Sequence, residues 1–242
     1  MNAREIALLV SEIDSFTPCT NAKELEQIFN IVRKVIDFTT LHFTKVQGEK
    51  VILAIKLSAE WHKGQYRWNK TTPYIIHPLE VADFGIESGG MTYKKLVATI
   101  LHDNIEDEEN PRRRTIMRKK IRKDFGYAVA EILKLITKHR HPALRARYFI
   151  TLREEKNLSH KASAIEIKFW DRIVNAKTFN IFPDPERDRK IKETLREFSI
   201  LATELSKTLQ KLEIKGQLGK HTDRFAAGNL MQMLLKEVEL HI

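Results

Sequence analysis

The sequence predicts an all-α fold, and three observations carry that prediction. Gly (9) and Pro (7) are sparse, and long segments rich in Leu, Ile, Lys and Glu place apolar residues at helical spacing. Strand-like runs such as "TPYIIHP" are short and isolated. A chain of 242 residues, 42% hydrophobic, can bury a proper core. The expected organisation is one helical bundle of about 9–11 helices, a number in line with ordinary helix lengths. Residues 1–185 would form the main domain, and 186–242 would be C-terminal helices packing on it.

Taken in order, "TNAKELEQIFNIVRKVIDFTTLHF" opens on a Thr20/Asn21 cap and continues with periodic apolar positions, so it predicts a helix. "VQGEK" reads as a turn, and "KVILAIKLSAEWH" as a buried helix presenting Ile52, Ile55, Leu57 and Ala59. "KGQYRWNKTTP" is a polar loop. Pro78 suits the first turn of a helix that stops at Gly89-Gly90. Thr92 caps "TYKKLVATILHDNIED", read as one helix. Pro111 opens a basic amphipathic helix with Ile116, Met117 and Ile121 at helical spacing. "DFGYAVAEILKLITK" predicts the next, with Ala128, Ile132 and Leu135 on one face. Residues 139–160, rich in His and Arg, read as the least regular stretch. "SAIEIKFWDRIVNAKTF" is helical up to "FPDPE"; a long helix is expected from Glu186 to Lys215, and a last one over 222–241.

Composition narrows the function classes. One cysteine, Cys19, rules out a disulfide framework. The N-terminal apolar run is broken by Glu12 and Asp14, and no run of about 18 apolar residues occurs, so a soluble cytoplasmic protein without membrane association is expected. The formal net charge of +10 attracts polyanions, although a solvated basic face explains it as simply. No basic stretch is interleaved with aromatics as in single-strand nucleic-acid binders, which points to a small anionic partner rather than a nucleic acid.

Four positions carry the chemistry: His77 at a helix start, the doublet His102-Asp103, and Asp171 in a much later helix. A lone His at a helix start is more often a surface or capping residue, and a mid-helix Asp is usually solvated or paired. The doublet says more, because it closes the apolar run "LVATIL" and so turns toward the interior. A buried His and acid are costly unless paired or bound to a metal. Imidazole and carboxylate donors suit Mn, Fe, Zn or Ni. Glu106 and Asp107 follow one helical turn on, placed to receive a proton from water polarised there. Asp171 and Asn175 repeat the same i to i+4 spacing.

The order His, His-Asp, Asp resembles the HD-domain metal-dependent phosphohydrolases, and the flanking words narrow this to the RelA/SpoT type of (p)ppGpp hydrolase. "AEWHKGQYR" looks like Ala-x-x-His-x-Gly-Gln-x-Arg, and "PYIIHPLEVA" like Pro-Tyr-x-x-His-Pro-x-x-Val-Ala. "LHDNIED" is similar to Leu-His-Asp-x-x-Glu-Asp, "DFGYAVAEILKLITK" to Phe-Gly-x-x-Val followed by Thr-Lys, and "IKFWDRIVNAKT" to Ile-Lys-x-x-Asp-Arg-x-x-Asn-x-Arg-Thr. These words keep the family's order over residues 50–180. No segment resembles the family's synthetase domain, so the expectation is a stand-alone small alarmone hydrolase like the metazoan SpoT homologue.

The resemblance implies an all-helical fold and one Mn²⁺ held by His77, His102, Asp103 and Asp171. It implies hydrolysis of the 3′-pyrophosphate of ppGpp or pppGpp to GDP or GTP and pyrophosphate. Glu106 and Asp107 match the catalytic acidic pair, with Glu106 favoured as proton acceptor or water-orienting group. Arg67 matches the residue that packs on the guanine base, Asn175 a residue of the nucleotide pocket. His62 is either a support behind the site or a helix-end residue. The chain departs from the pattern at Asn104, at Glu108, in the loop "WNKTTPY" and at Val174, which leaves base selectivity open. Basic residues of 111–123 and 139–153 are the candidate phosphate contacts. Two other readings stand beside this one: an HD-type phosphohydrolase of ppApp, NADPH or a nucleoside 3′-phosphate, and a non-catalytic nucleotide- or RNA-binding HD module. Nothing in the sequence decides whether the protein forms a homo-oligomer.

Overall fold

The computed structural model describes residues 1–137, 142–218 and 226–241, with 142–147 described by backbone alone. Its described residues form twelve α-helices, a 3₁₀ turn and no strand beyond an isolated bridge between Tyr66 and Pro73. The all-α expectation holds. No helix among them is long and apolar enough to cross a membrane. The chain divides into two units, Met1–Leu133 and Lys134–Ile242.

The first unit contains α1 (Ala3–Phe16), α2 (Ala22–His42), α3 (Lys45–Trp61), α4 (Ile76–Glu87), α5 (Tyr93–Ile100), α6 (His102–Asp107) and α7 (Pro111–Phe125). Polar caps set most of the starts: Asn2, Asn21, Thr44, Thr92 and Asn110 each accept a first-turn backbone N–H. α2 packs on α4 and α3 on α5, while α1 lies against both α2 and α3. Their shared core includes Ile28, Val32, Val35, Val51, Ile55, Leu79, Val81, Leu96 and Ile100.

Three expectations about this unit are corrected. The segment "VQGEK" is helix rather than turn, because Thr44 and Gln47 form a capping box that starts α3 ahead of it. Gly48 costs the helix about 1 kcal/mol, and a Cβ built there would meet Thr39 Cγ2 at 3.4 Å, an ordinary contact. The helix expected from Tyr93 to Asp107 is two helices, broken at Leu101 (φ −102°, ψ 6°). On α7, Met117 and Ile121 are buried as expected, but Ile116 is 63% exposed.

α8 (Tyr127–Ile136) begins after Gly126, which ends α7 at φ 91°, ψ 172°, so the single helix expected over 124–138 is interrupted there. Ile132 and Leu135 are buried. The stretch expected to be irregular contains α9 (Pro142–Glu154): Pro142 suits its first position, and Tyr148 and Leu152 bury one face. In the second unit α10 (Leu158–Ala176), α11 (Asp184–Ile214) and α12 (Ala226–Glu239) pack on one another, with the 3₁₀ turn Phe179–Ile181 before α11. Phe169 of α10 meets Phe198 of α11 edge-on, their ring centroids 4.9 Å apart. The expected boundary at 185/186 falls in the first turn of α11, and positions 222–225 of the expected last helix lie outside the described residues.

Gly126 occupies a backbone region that is open almost only to glycine. Nothing lies within 4 Å of a Cβ built there, so Gly126→Ala tests backbone strain alone. The expected loss is about 1–3 kcal/mol, a fall in Tm of roughly 2–4 °C per kcal/mol. Thermal unfolding followed by circular dichroism measures it, and an unchanged Tm would contradict this role for the glycine.

Candidate metal centre

The first unit brings His77, His102 and Asp103 together. His77 is the second residue of α4, buried to 1% exposure and delivered by a turn in which its N–H donates to the Tyr74 carbonyl at 3.0 Å. His102 and Asp103 open α6 just past the break at Leu101. That break turns the His102 ring back, and its Nδ1 lies 2.7 Å from the Thr99 carbonyl in the last turn of α5. This carbonyl is one that a helix end leaves without an intrahelical donor. Nδ1 therefore carries the proton, and in the neutral ring Nε2 presents a lone pair.

That assignment has an electrostatic consequence. His102 Nε2 is 3.1 Å from Asp103 Oδ1, and His77 Nε2 is 3.5 Å from Asp103 Oδ2, with the two imidazoles 5.4 Å apart. A nitrogen lone pair facing a carboxylate at that distance is repulsive unless a cation lies between or beside them. Two protonated imidazoles so close in a buried site would be costly. One divalent ion satisfies both nitrogens and the acid, and a backbone carbonyl on the far ring nitrogen is the usual support of a metal-binding histidine. The donor set thus fits a divalent metal.

Asp103 is held from behind by Tyr74, whose hydroxyl donates to Oδ2 at 2.9 Å. His62 lies beyond it, its ring centroid 4.5 Å from that of Tyr74 and its Nδ1 2.7 Å from Gln65 Oε1. His62 also caps the C-terminal end of α3, and burial pulls its pKa down, so it stays a neutral support. Arg67 is carried by the loop between α3 and α4, which Arg67 N–H to Thr72 O (2.8 Å) and Tyr74 N–H to Gln65 O (3.0 Å) fold into a hairpin. Its guanidinium lies 5.8 Å from the Tyr74 ring centroid. The loop is tied down by Thr72, whose hydroxyl donates to the buried Glu24 at 2.8 Å.

Glu106 and Asp107 complete α6. Burial, then the neighbouring Asp103 and Glu106 charges, push the Asp107 carboxyl up to about 6, against a lowering hydrogen bond from Tyr74. A carboxyl tuned toward neutrality suits proton transfer, and Asp107 stands next to Glu106 for that purpose. Glu108, a departure from the family pattern in the sequence, is a strut. It accepts from Asn110 N–H at 2.8 Å and pairs with Arg113 at 3.2 Å, while its carbonyl takes Arg114 Nε at 3.1 Å. Asn104 is buried, its amide reaching the Ser58 carbonyl of α3 at 3.4 Å. A cleft of about 690 Å³ lies beside these residues, lined by His62, Asn104, Asp107, Glu108, Glu109 and Arg113 among others. Its largely acidic wall suits water and cations better than a polyphosphate.

In the second unit Asp171 sits on α10, where Asn175 Nδ2 donates to its Oδ1 at 2.6 Å and the buried Lys168 lies 4.0 Å from Oδ2. The i to i+4 relation read from the sequence is a direct hydrogen bond, with Asn175 orienting Asp171. Of the expected phosphate contacts, those at 139–141 lie outside the described residues, as do the side chains of 142–147. Sequence reasoning gave no role to Tyr74, although it stood inside a quoted motif. Its signal was a hydroxyl in the otherwise apolar word "PYII", one helical step before His77.

The pH dependence of the metal-free protein tests this electrostatics. Asp107 has a native pKa of about 6 against the ordinary aspartate value of 3.8, so the native state binds more protons between those values and loses stability as pH rises through them. Asp107→Asn removes that penalty. In chelator-treated protein it should add about 1–2 kcal/mol near pH 7.5 and almost nothing near pH 4, allowing for partial exposure. Denaturant melts at the two pH values decide, and equal effects at both would refute the assignment.

Comparison with known proteins gives a consistent picture. The family model described as HD domain matches residues 54–207. A guanosine-3′,5′-bis(diphosphate) 3′-pyrophosphohydrolase of Aquifex aeolicus is 29% identical over 163 residues, 65% of this chain and 22% of that protein. A GTP pyrophosphokinase of Streptomyces coelicolor is 28% identical over 220 residues, 89% of this chain and 24% of its own length. A second guanosine-3′,5′-bis(diphosphate) 3′-pyrophosphohydrolase, from Haemophilus influenzae, is 28% identical over 62% of this chain and 21% of that protein. The chain spans less than a quarter of the length of these relatives.

Proposed function

The chain belongs to the HD-domain family, and from that footing we propose that it is a Mn²⁺-dependent hydrolase of the alarmones ppGpp and pppGpp. Water adds across the 3′ ester, leaving the ribose 3′-hydroxyl and releasing pyrophosphate, with GDP or GTP as the other product. The observation that carries the reading is the buried His77, His102 and Asp103 group followed one turn later by Glu106 and Asp107. The relatives named as 3′-pyrophosphohydrolases support the substrate.

His77, His102 and Asp103 would each supply a donor to the ion, and the order His, His-Asp, Asp along the chain supports Asp171 as the fourth. When bound, the ion makes a water acidic enough to attack at neutral pH and offsets charge on the pyrophosphate. The chain's own residues do the rest. Thr99 and Tyr74 hold His102 and Asp103 in position, and Asn175 does the same for Asp171. Glu106 orients the water and accepts its proton, beside the raised Asp107 carboxyl. Arg67 offers its guanidinium plane to the base. A formal net charge of +10 favours approach of a substrate carrying many phosphate charges.

Incubation of the purified chain with Mn²⁺ and a panel of ppGpp, pppGpp, ppApp and NADPH tests the substrate. Pyrophosphate from ppGpp is expected; orthophosphate from NADPH or a mononucleotide would transfer the site to another HD chemistry. Binding of nucleotide or RNA with no turnover would make it a binding module. Asp103→Ala should abolish metal retention and turnover together. Glu106→Ala should keep the metal and lower kcat by roughly 10²–10⁴, and full activity in that variant would end the role given to Glu106.

A further inference from the structure

Tyr74 touches both halves of the site in the first unit. Its hydroxyl reaches Asp103 Oδ2 at 2.9 Å, and its ring lies 5.8 Å from the Arg67 guanidinium. It cannot shift freely. The His62 ring packs on it at 4.5 Å with the planes tilted 31°, and Gln65 holds His62 Nδ1 while its carbonyl accepts the Tyr74 N–H. The two contacts use different parts of one rigid side chain, the polar tip and the aromatic face.

We infer that Tyr74 is a positioning residue that joins the metal carboxylate to the base-stacking loop, its hydroxyl setting the rotamer of Asp103 and its ring seating Arg67. The inference rests on the metal reading above. A carboxylate without that donor can turn about its terminal torsion, which is broad and unstaggered. Asp103 lies between two imidazoles, so a turn there withdraws an oxygen from the ion's place. The Tyr74 hydroxyl donates to Asp103 Oδ2 at 2.9 Å and also bonds the Asp107 carboxyl, so its placement is tied to both acids. The face of the ring is electron-rich and attracts a guanidinium, and this keeps the Arg67 guanidinium near the ring, 5.8 Å from its centroid. One residue therefore sets two distances that a nucleotide substrate must meet at once, base to arginine and 3′ ester to metal.

Two substitutions separate the two contacts. Tyr74→Phe keeps the ring and removes the hydroxyl; Tyr74→Leu removes both. Mn²⁺ binding to the chelator-stripped full chain is measured by calorimetry, alongside kcat and KM at saturating Mn²⁺, with circular dichroism to verify folding. Tyr74→Phe should weaken Mn²⁺ binding about 10- to 100-fold, the range for losing an outer support of a ligand. Its KM at saturating Mn²⁺ should stay within about twofold of the wild type, because the ring that seats Arg67 is intact. Tyr74→Leu should also raise KM severalfold at any Mn²⁺ concentration. Wild-type Mn²⁺ affinity in Tyr74→Phe would overturn the inference, and it needs no information from the harsher variant. A wild-type chain that takes up no Mn²⁺ would instead overturn the metal reading, and the inference with it.

Discussion

The carboxylate of Asp103 is the point on which the rest of the site depends. It stands between two buried imidazoles, with one oxygen toward His102 and the other toward His77 and the Tyr74 hydroxyl. None of these groups would be stable there alone. A buried carboxylate needs donors, and a buried imidazole needs a fixed tautomer. The break at Leu101 supplies the second requirement by freeing the Thr99 carbonyl for His102 Nδ1. Had α5 run straight on into α6, that carbonyl would have been used within the helix and the imidazole would have had no fixed orientation. The interruption of the helix is thus what fixes the tautomer and orientation of the histidine.

The same reasoning extends outward to the loop between α3 and α4. This polar loop has no apolar core to hold it, so its placement comes from hydrogen bonds. Asn69 accepts from Thr71 and Thr72 N–H, Lys70 takes a left-handed backbone (φ 61°), and Thr72 anchors the tip on Glu24. Glu24 in turn accepts from Thr20 and lies in the first turn of α2, where the helix dipole favours an acid. Arg67 is therefore fixed relative to α2 as well as to Tyr74. The base of the hairpin is closed by the Tyr74 N–H donating to the Gln65 carbonyl at 3.0 Å.

Much of this was legible from residues alone. Helical spacing and capping residues named most helices, and the doublet His102-Asp103 after an apolar run named the buried pair. What periodicity could not show was where a helix breaks without Gly or Pro, as at Leu101. There a histidine side chain takes up the main-chain carbonyl that the break exposes, and no propensity records it. At Gly48 the opposite error arose: a glycine signalled a turn, but the Thr44–Gln47 capping box overrode it. Glu108 and Asn104 looked like surface departures from a family pattern. Their partners, Arg113, Arg114 and Ser58, lie on other helices, so their roles needed three dimensions to be seen. Tyr74 was missed because its partner is a functional residue far along the chain.

These struts also explain how a strongly basic chain tolerates so acidic a segment. Asp103, Glu106, Asp107 and Glu108 fall within α6 and its cap, close enough that burial and mutual repulsion raise Asp107. Arg113 and Arg114 meet Glu108 from α7, yet an exposed pair such as Arg113–Glu108 is worth little. The Tyr74 hydroxyl supplies one more donor. None of these contributes a charge at the face of Asp103 that lies between the histidines. On the proposed reading, that deficit is the selective element of the site. It attracts a divalent ion and repels the phosphates of an alarmone until the ion is in place, so nucleotide binding gains only from the metal-loaded form. The basic surface then raises the encounter rate for polyanions in general, and the acidic helix decides which of them can approach the centre.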